Sequence, residues 1–470
     1  MDKTDNRVSK IKEELSGNSD FNVRKIEIKA GTVYILFLNT ISDNQFITES
    51  IIKPIIKKKD EIKDAKEIKD KVITHTDINN VQSLEEVSTY ILTGNTVLIF
   101  SFSEEIFYCS SRKIPERAVE IPPSETVIKG PREGFTESLT TNLSLIRRRV
   151  ANEKLKIEEL LLGNDTFTKG AFVYIEGTAP ASLVEQVKRR VISISQEQKY
   201  IQESNYLGEL LQDKPSAFDT VGYTEKPDDL VAKIHEGKIA ILVDGDPFAI
   251  TLPYFFIENF HSPSDYSLNR FIANYFRLVR WIGVMISVFF PGIYVALTTY
   301  HFHLIPPIFL FRLAVARAGV PFPIYLEVLL MMFFFQILRE ASLRLPQSIA
   351  QAISIVGALI LGDTAVQSGL ASTIAILLVA LTALSAFLAP NIFGAISIWT
   401  DILIIFSSLL GLPGFFIGLL LLISHLASLT SCGYPFLYPV GTKDSVQYSD
   451  RILRPEIHHL PDSINEDDQK

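Results

Sequence analysis

The sequence is short of cysteine: Cys109 and Cys432 are the only two in 470 residues, too few for a disulfide framework or a spaced set of metal ligands. Each reads as a small buried hydrophobe. The opening run MDKTDNRVSKIKEELSGNSD does not read as a secretory leader, having no apolar core between a basic start and a small-residue cleavage site. The long N-terminal region is therefore expected in the cytoplasm. The formal charge of -8 comes without a basic stripe, which argues against nucleic acid as a partner. GPREG, residues 130–134, lacks the glycine spacing and the Lys-Ser/Thr pair of a phosphate loop, and there is no Ser/His/Asp elbow or paired-carboxylate motif. His301 and His303 have no third ligand at a recognised spacing. No enzyme, metal or cofactor is expected. The largest shortage is of charge itself: residues 345–441 carry only Asp363 and Asp401.

What is present divides into two materials. Only eight charged side chains fall in residues 281–440, whereas the first 280 residues are charged like a water-soluble protein. In that first part GTVYILFL (31–38) and NTVLIFSFSEEIFYCS (95–110) read as strands. SLEEVSTYIL (83–92) reads as a helix between them, with Ser83 as its cap and Glu86 three residues on. AFVYIEGTAPASLVEQVKRRV (171–191) is a strand, a Gly/Pro turn and an amphipathic helix, and the Asp244-Gly245 pair inside KIAILVDGDPFAITLPY signals a hairpin. Two α/β subdomains are expected, 1–118 and 151–280, joined by a Pro-rich linker, 119–150, that carries GPREGFTESL and ends in Arg147–Arg149. The lysine-rich run 51–71 mixes both signs at helical spacing and reads as a solvated helix face.

From Trp281 onward the solvent is expected to be lipid. Residues 281–299 are uncharged, follow Arg277 and Arg280, and nearly span a hydrocarbon core roughly 30 Å thick. Pro291 and Gly292 predict a kink or break, tolerable only where neighbouring helices satisfy the freed carbonyls. Residues 301–320, with Arg312 and Arg317, read as an interfacial helix. Residues 321–338 return the chain, and 347–362, 371–389, 396–410 and 415–429 are four further apolar segments. Four to six crossings follow for the membrane domain, 281–440, and the charged tail 441–470 is then cytoplasmic.

Ionisable groups at membrane depth cost roughly 2.5 to 3.5 kcal/mol each on insertion scales and are candidates for function. Glu340 and Arg344 read as a helix pair near the interface. Asp363 stands at a helix end, and Glu327 lies deeper among apolar neighbours. Ala350, Ser354 and Ala358 recur every four residues beside Gly357, which suits either close helix packing or a narrow pore wall. Glu327, Ser354, Gly357, Ala358, Leu361 and Asp363 are the candidate pore or inter-subunit positions.

GPREGFTESLTTNLSLIRRR, LVDGDPFAITLPYFFIENFHSPSDY, GVPFP, LREASLRLPQSIAQAISIVGALILGDTAVQSGLAS, LAPN and LTSCGYPFLYP, spread over residues 130–439, together resemble the A subunits of GerA-type spore germination receptors. The resemblance implies an α/β N-terminal domain of two subdomains followed by an all-α polytopic membrane domain in the spore inner membrane. It further implies a homo-oligomer whose helices form an ion channel opened by nutrient germinants. A permease-like B subunit and a lipoprotein C subunit would be its partners. An amplifying paralogue of the family, or a non-conducting scaffold, are the alternatives. The first 110 residues match in pattern only.

Overall fold

The computed structural model describes residues 3–73, 75, 77–113, 125, 130–346, 349–350, 357, 360, 362–439 and 452–454. Its first unit is a five-stranded antiparallel sheet in the order β1-β2-β4-β5-β3, from Phe21–Ile28, Gly31–Leu38, Ile78–Asn80, Asn95–Phe100 and Ile106–Ser110. Both faces are covered. Val33 and Ile35 meet the isoleucines of the lysine-rich region, Ile51, Ile52, Ile55 and Ile68 among them, while Leu36 and Leu38 meet Val8, Ile11, Val87 and Ile91. The lysine-rich run is thus half core: its isoleucines are buried and its lysines stay in water. The helix Glu85–Leu92 forms as expected, but its N-cap is Leu84 without a side-chain hydrogen bond, so Ser83 does not cap it.

The second unit repeats the arrangement. Leu155–Leu162, Thr168–Ile175, Gly222–Thr224, Ile239–Val243 and Ala249–Leu252 are β6 to β10, in the order β6-β7-β9-β10-β8, again antiparallel throughout. The β9–β10 hairpin turns at the Asp244-Gly245 pair, where Gly245 takes a φ of 94°. On one face lie Leu183, Val187, Leu207 and Leu211. On the other lie Leu139, Leu143 and Ile146, three positions on one face of the helix Leu139–Arg149, against Leu155, Ile157 and Val173. The stretch expected as linker therefore ends in a core helix of the second unit. Its N-terminus is held by Ser138, and the Leu139 amide donates to Asp244 Oδ1 at 2.9 Å.

The described residues from Ser264 to Ser428 are mainly helical. Arg270–Thr299 starts before Trp281 and, at 1.5 Å per residue, runs about 45 Å. Pro291 leaves the helix continuous: it has no N–H for the Ser287 carbonyl, and the Thr400 hydroxyl, shared with the Ile396 carbonyl at 2.7 Å, reaches that oxygen from outside at 3.1 Å. A Cβ on the adjacent Gly292 would meet Phe415, Ser407 and Leu403 at 3.1 to 3.4 Å, so glycine is what lets three helices cross here. Pro307–Ala316, Ile324–Arg344, Thr373–Ala386, Phe393–Leu410 and Leu412–Ser428 follow. Among the described residues, two helical stretches are long and apolar enough to cross a membrane, Arg270–Thr299 and Pro390–Leu410; Pro307–Ala316, Thr373–Ala386 and Leu412–Ser428 are apolar but shorter.

Candidate coupling site

Two segments on either side of the helices lock together. Beyond the last helix, Thr430–Ser431 and Tyr434–Pro435 form a small hairpin, turned by Cys432 and Gly433 with φ of 50° and 85°. The Tyr254 amide donates to Ser431 Oγ at 2.9 Å, Ser431 Oγ donates to the Thr220 carbonyl at 2.7 Å, and the Phe256 amide donates to the Phe436 carbonyl at 2.9 Å. Cys432, Tyr434 and Tyr438 are buried in the core of the second unit. Phe436 joins Phe260, Val284, Val288, Ile396 and Leu422 in a cluster that belongs to the helices. Trp281 packs on both, stacked on Phe260 with ring centroids 3.6 Å apart and planes 7° apart. Burial pushes the Cys109 and Cys432 thiols up to about 12, so neither offers a thiolate.

A second knot sits where the long helix begins. Asp265 is buried, and its Oδ2 takes Arg277 Nε at 3.0 Å and Arg280 Nη2 at 2.5 Å. Arg454 Nη1 donates to the carbonyls of Asp265 and Leu268 at 2.7 and 2.9 Å, while its own amide donates to Asn274 Oδ1 at 2.7 Å. Charge-assisted bonds of this kind fix the helix start to the connector, residues 253–269, that precedes it.

Between the second unit and the helices lies a cavity of about 380 Å³. Glu125, Tyr223, Asp229, Lys233 and Glu236 line it from the second unit, Tyr254, Glu258, His261 and Tyr266 from the connector, and Asn391 from the turn before Phe393–Leu410. Asp229 and Lys233, one turn apart, pair at 2.9 Å, and Glu258 takes Lys238 at 2.5 Å. Glu125 accepts from Thr224 Oγ1 and the Glu225 amide at 2.8 and 2.9 Å. Burial, then the Asp229 charge, hold Glu125 above the usual carboxylate range. Burial works against the charged form of Asp229, but Lys233 outweighs it and the carboxyl lies below its usual range.

Of the positions expected from sequence, Glu327 is fully buried and braces the helices within this chain: Arg317 Nε donates to it at 3.2 Å and the Ser372 amide, at the start of Thr373–Ala386, at 2.6 Å. Asp363 is exposed and accepts from Gln367 at 2.6 Å. A Cβ on Gly357 would lie 2.6 Å from Leu338 Cδ1, a close contact with Ile324–Arg344. Ser354, Ala358 and Leu361 lie outside the described residues. The expected Glu340–Arg344 pair is present at 2.6 Å, exposed on both sides. Arg147–Arg149 divide: Arg147 is buried on Asp20 at 3.0 Å, while Arg148 and Arg149 both pair with Glu133 of GPREG. The interlocked segments escaped residue-by-residue reading because nothing in a sequence pairs 252–260 with 429–439. Their density of aromatic residues was the available signal.

Two matching α/β units followed by apolar helices, with the second unit locked to those helices, define a class: a large polar N-terminal α/β domain followed by a helical region with candidate membrane helices. Residues 9–462 match the family described as Bacillus/Clostridium GerA spore germination protein, and the chain belongs to that family. It is 34% identical to spore germination protein KA of Bacillus subtilis (strain 168), over 98% of this chain and 87% of that one. It is 32% identical to spore germination protein A1 of the same organism (96% and 93%), and 32% identical to its uncharacterized membrane protein YfkQ (93% and 86%). Among solved structures it matches the N-terminal domain of the A subunit of the Bacillus megaterium spore germinant receptor GerK3, with 25% identity, a TM-score of 0.40, and coverage of 53% of this chain and 94% of that one.

Proposed function

We propose that this chain is the membrane subunit of a spore germinant receptor, and that it assembles with copies of itself into an ion channel that opens when nutrient germinants arrive. Membership of a family of spore germination proteins supports a role in germination. The observation that carries the finer reading is the interlock of residues 252–260 with 429–439, a rigid path by which a change in the polar units can reach the helices. The helices are apolar all round: Leu377, Leu384, Leu409 and Leu420 are each more than 60% exposed, a surface that lipid or another copy must cover.

In this reading the chain makes four to six crossings of the spore inner membrane with its N-terminal domain and tail on the core side. It works with a permease-like B subunit and a lipoprotein C subunit. Ser354, Gly357, Ala358, Leu361 and Asp363 are the proposed pore positions, and Glu327, already paired within the chain, serves as the brace beside them. Reconstitution of the purified chain in planar bilayers tests it, with Ala358→Trp as the blocking variant. Conductance that the variant reduces supports a channel; a chain that never conducts is a scaffold. Loss of the response to a single germinant on deletion marks a receptor subunit, whereas slower germination with every germinant marks an amplifier.

A further inference from the structure

We infer that the aromatic junction between the second unit and the helices contains a binding site for a small neutral ligand built on a single aromatic ring. Inside the junction lies a second cavity, of about 190 Å³, whose surface is made of apolar atoms alone. A dry apolar void of about 150 Å³ already takes up benzene, so a ring with one or two added carbons fills this one. Phe218 of the second unit, Phe256 and Phe260 of the connector, Trp281 and Phe289 of Arg270–Thr299 and Trp399 of Phe393–Leu410 all face the space. Met285 and Ile423, each half exposed, mark where it opens to the surface of the helices.

The walls set the chemistry of the ligand. With no donor or acceptor on the lining, water has no partners there, and a charged or hydrogen-bonding group would lose its own on entry. That makes the ligand neutral and apolar where it meets the protein. A void forfeits the dispersion contacts of its lining, and a molecule that fills it restores them. The six rings then favour an aromatic body over a saturated one. Phe218 and Trp281 both stand edge-on to Phe256, with centroids 6.1 and 6.4 Å away and planes at 75° and 70°. They form a lattice of edges and faces in which one more ring finds the same contacts. The walls belong to the second unit, the connector and the helices, so an occupant touches both halves of the junction and tightens their contact.

The chain carries its own reporter, because Trp281 and Trp399 are its only two tryptophans and both line the cavity. The test is a fluorescence titration of the full chain in lipid nanodiscs with iodobenzene and 1-iodohexane, which match in carbon number and carry the same heavy-atom quencher. Iodobenzene is expected to quench saturably, with one midpoint in Trp281→Phe and in Trp399→Phe, each of which keeps one reporter. The midpoint for 1-iodohexane should lie at least about 3-fold higher, the scale of one lost aromatic pair. Val284→Phe combined with Val288→Phe fills the space from the long helix and should abolish the saturable part. Iodobenzene should also raise the unfolding temperature of the unmodified chain, a measurement that stands even where the filled variant fails to fold. Quenching that only grows in proportion to the probe dissolved in the lipid, equal midpoints for the two probes, or saturation unchanged in a folded filled variant overturns the inference. Nanodiscs of phospholipid brominated along its acyl chains separate the other source of hydrocarbon: quenching of both tryptophans before any probe is added, relieved in the filled variant, would mean that a lipid chain occupies the cavity and would overturn it too. None of these readouts involves conductance, so they stand or fall apart from the channel reading.

Discussion

The two α/β units are built to one topology and put to different uses. Every buried residue of the first unit's two clusters lies between Val8 and Cys109. The second unit, with the same strand order, takes into its core Cys432, Tyr434 and Tyr438 from beyond the last helix and lays Trp281 of the long helix against them. The first touches the rest through a polar seam, where Ser19 and Asn18 bond the edge strand β6 at Ile157 and Asp20 takes the buried Arg147. The second is fused to the helices through aromatic side chains. A shared topology therefore does not fix a role; the distant segments lodged in each core do.

The largest effect should come from breaking the polar seam. Arg147→Ala leaves Asp20 buried without its cation, and loss of one partner of a buried pair costs on the order of 3 to 5 kcal/mol. Thermal unfolding of the full chain should show the first unit melting separately and earlier, whereas a single unshifted transition would mean that the seam does not hold the units together. Phe436→Ala removes a fully buried ring from the aromatic junction and should cost roughly 3 to 4 kcal/mol. That loss should appear in the transition of the second unit and the helices, with the first unit unchanged.

Smaller effects refine the comparison inside each part. Thr400→Val keeps the shape but orphans the Ser287 carbonyl opposite Pro291, for about 1 to 2 kcal/mol in the helices alone. The Glu133 pairs should matter least. Burial raises its carboxyl, but the bonds from Arg148 and Arg149 win and hold it below the usual range. A depressed carboxyl stabilises the fold above its unfolded pKa and loses that contribution as pH falls through the folded value. Partly exposed, the pairs give less than about 1 kcal/mol. Glu133→Gln should flatten the acid side of the stability profile by no more than that, measured by denaturant titration across pH 3 to 7.

Much of this was legible in the residues. GTVYILFL is β2 from end to end, and the Asp244-Gly245 turn falls where its chemistry placed it, because short-range propensities decide both. β1 was not legible: FNVRKIEI is an edge strand with charge on its outer face, and its partner rather than its pattern makes it a strand. Arg147 shows the same limit, since three consecutive arginines look alike until Asp20, far away in the chain, buries one of them. The small-residue spacing around Gly357 is a sequence pattern whose other members, Ser354 and Ala358, lie outside the described residues. The junction was not legible, because its two halves are separated by all the helices.

Hydrogen exchange on the Tyr434→Ala variant of the full chain in nanodiscs tests the central claim, that the second unit and the helices form one cooperative body. Parallel loss of protection is expected in β9, β10 and the first turns of Arg270–Thr299, with β1, β2 and β4 unchanged. Loss confined to the strands of the second unit, with the helix as protected as before, would contradict it.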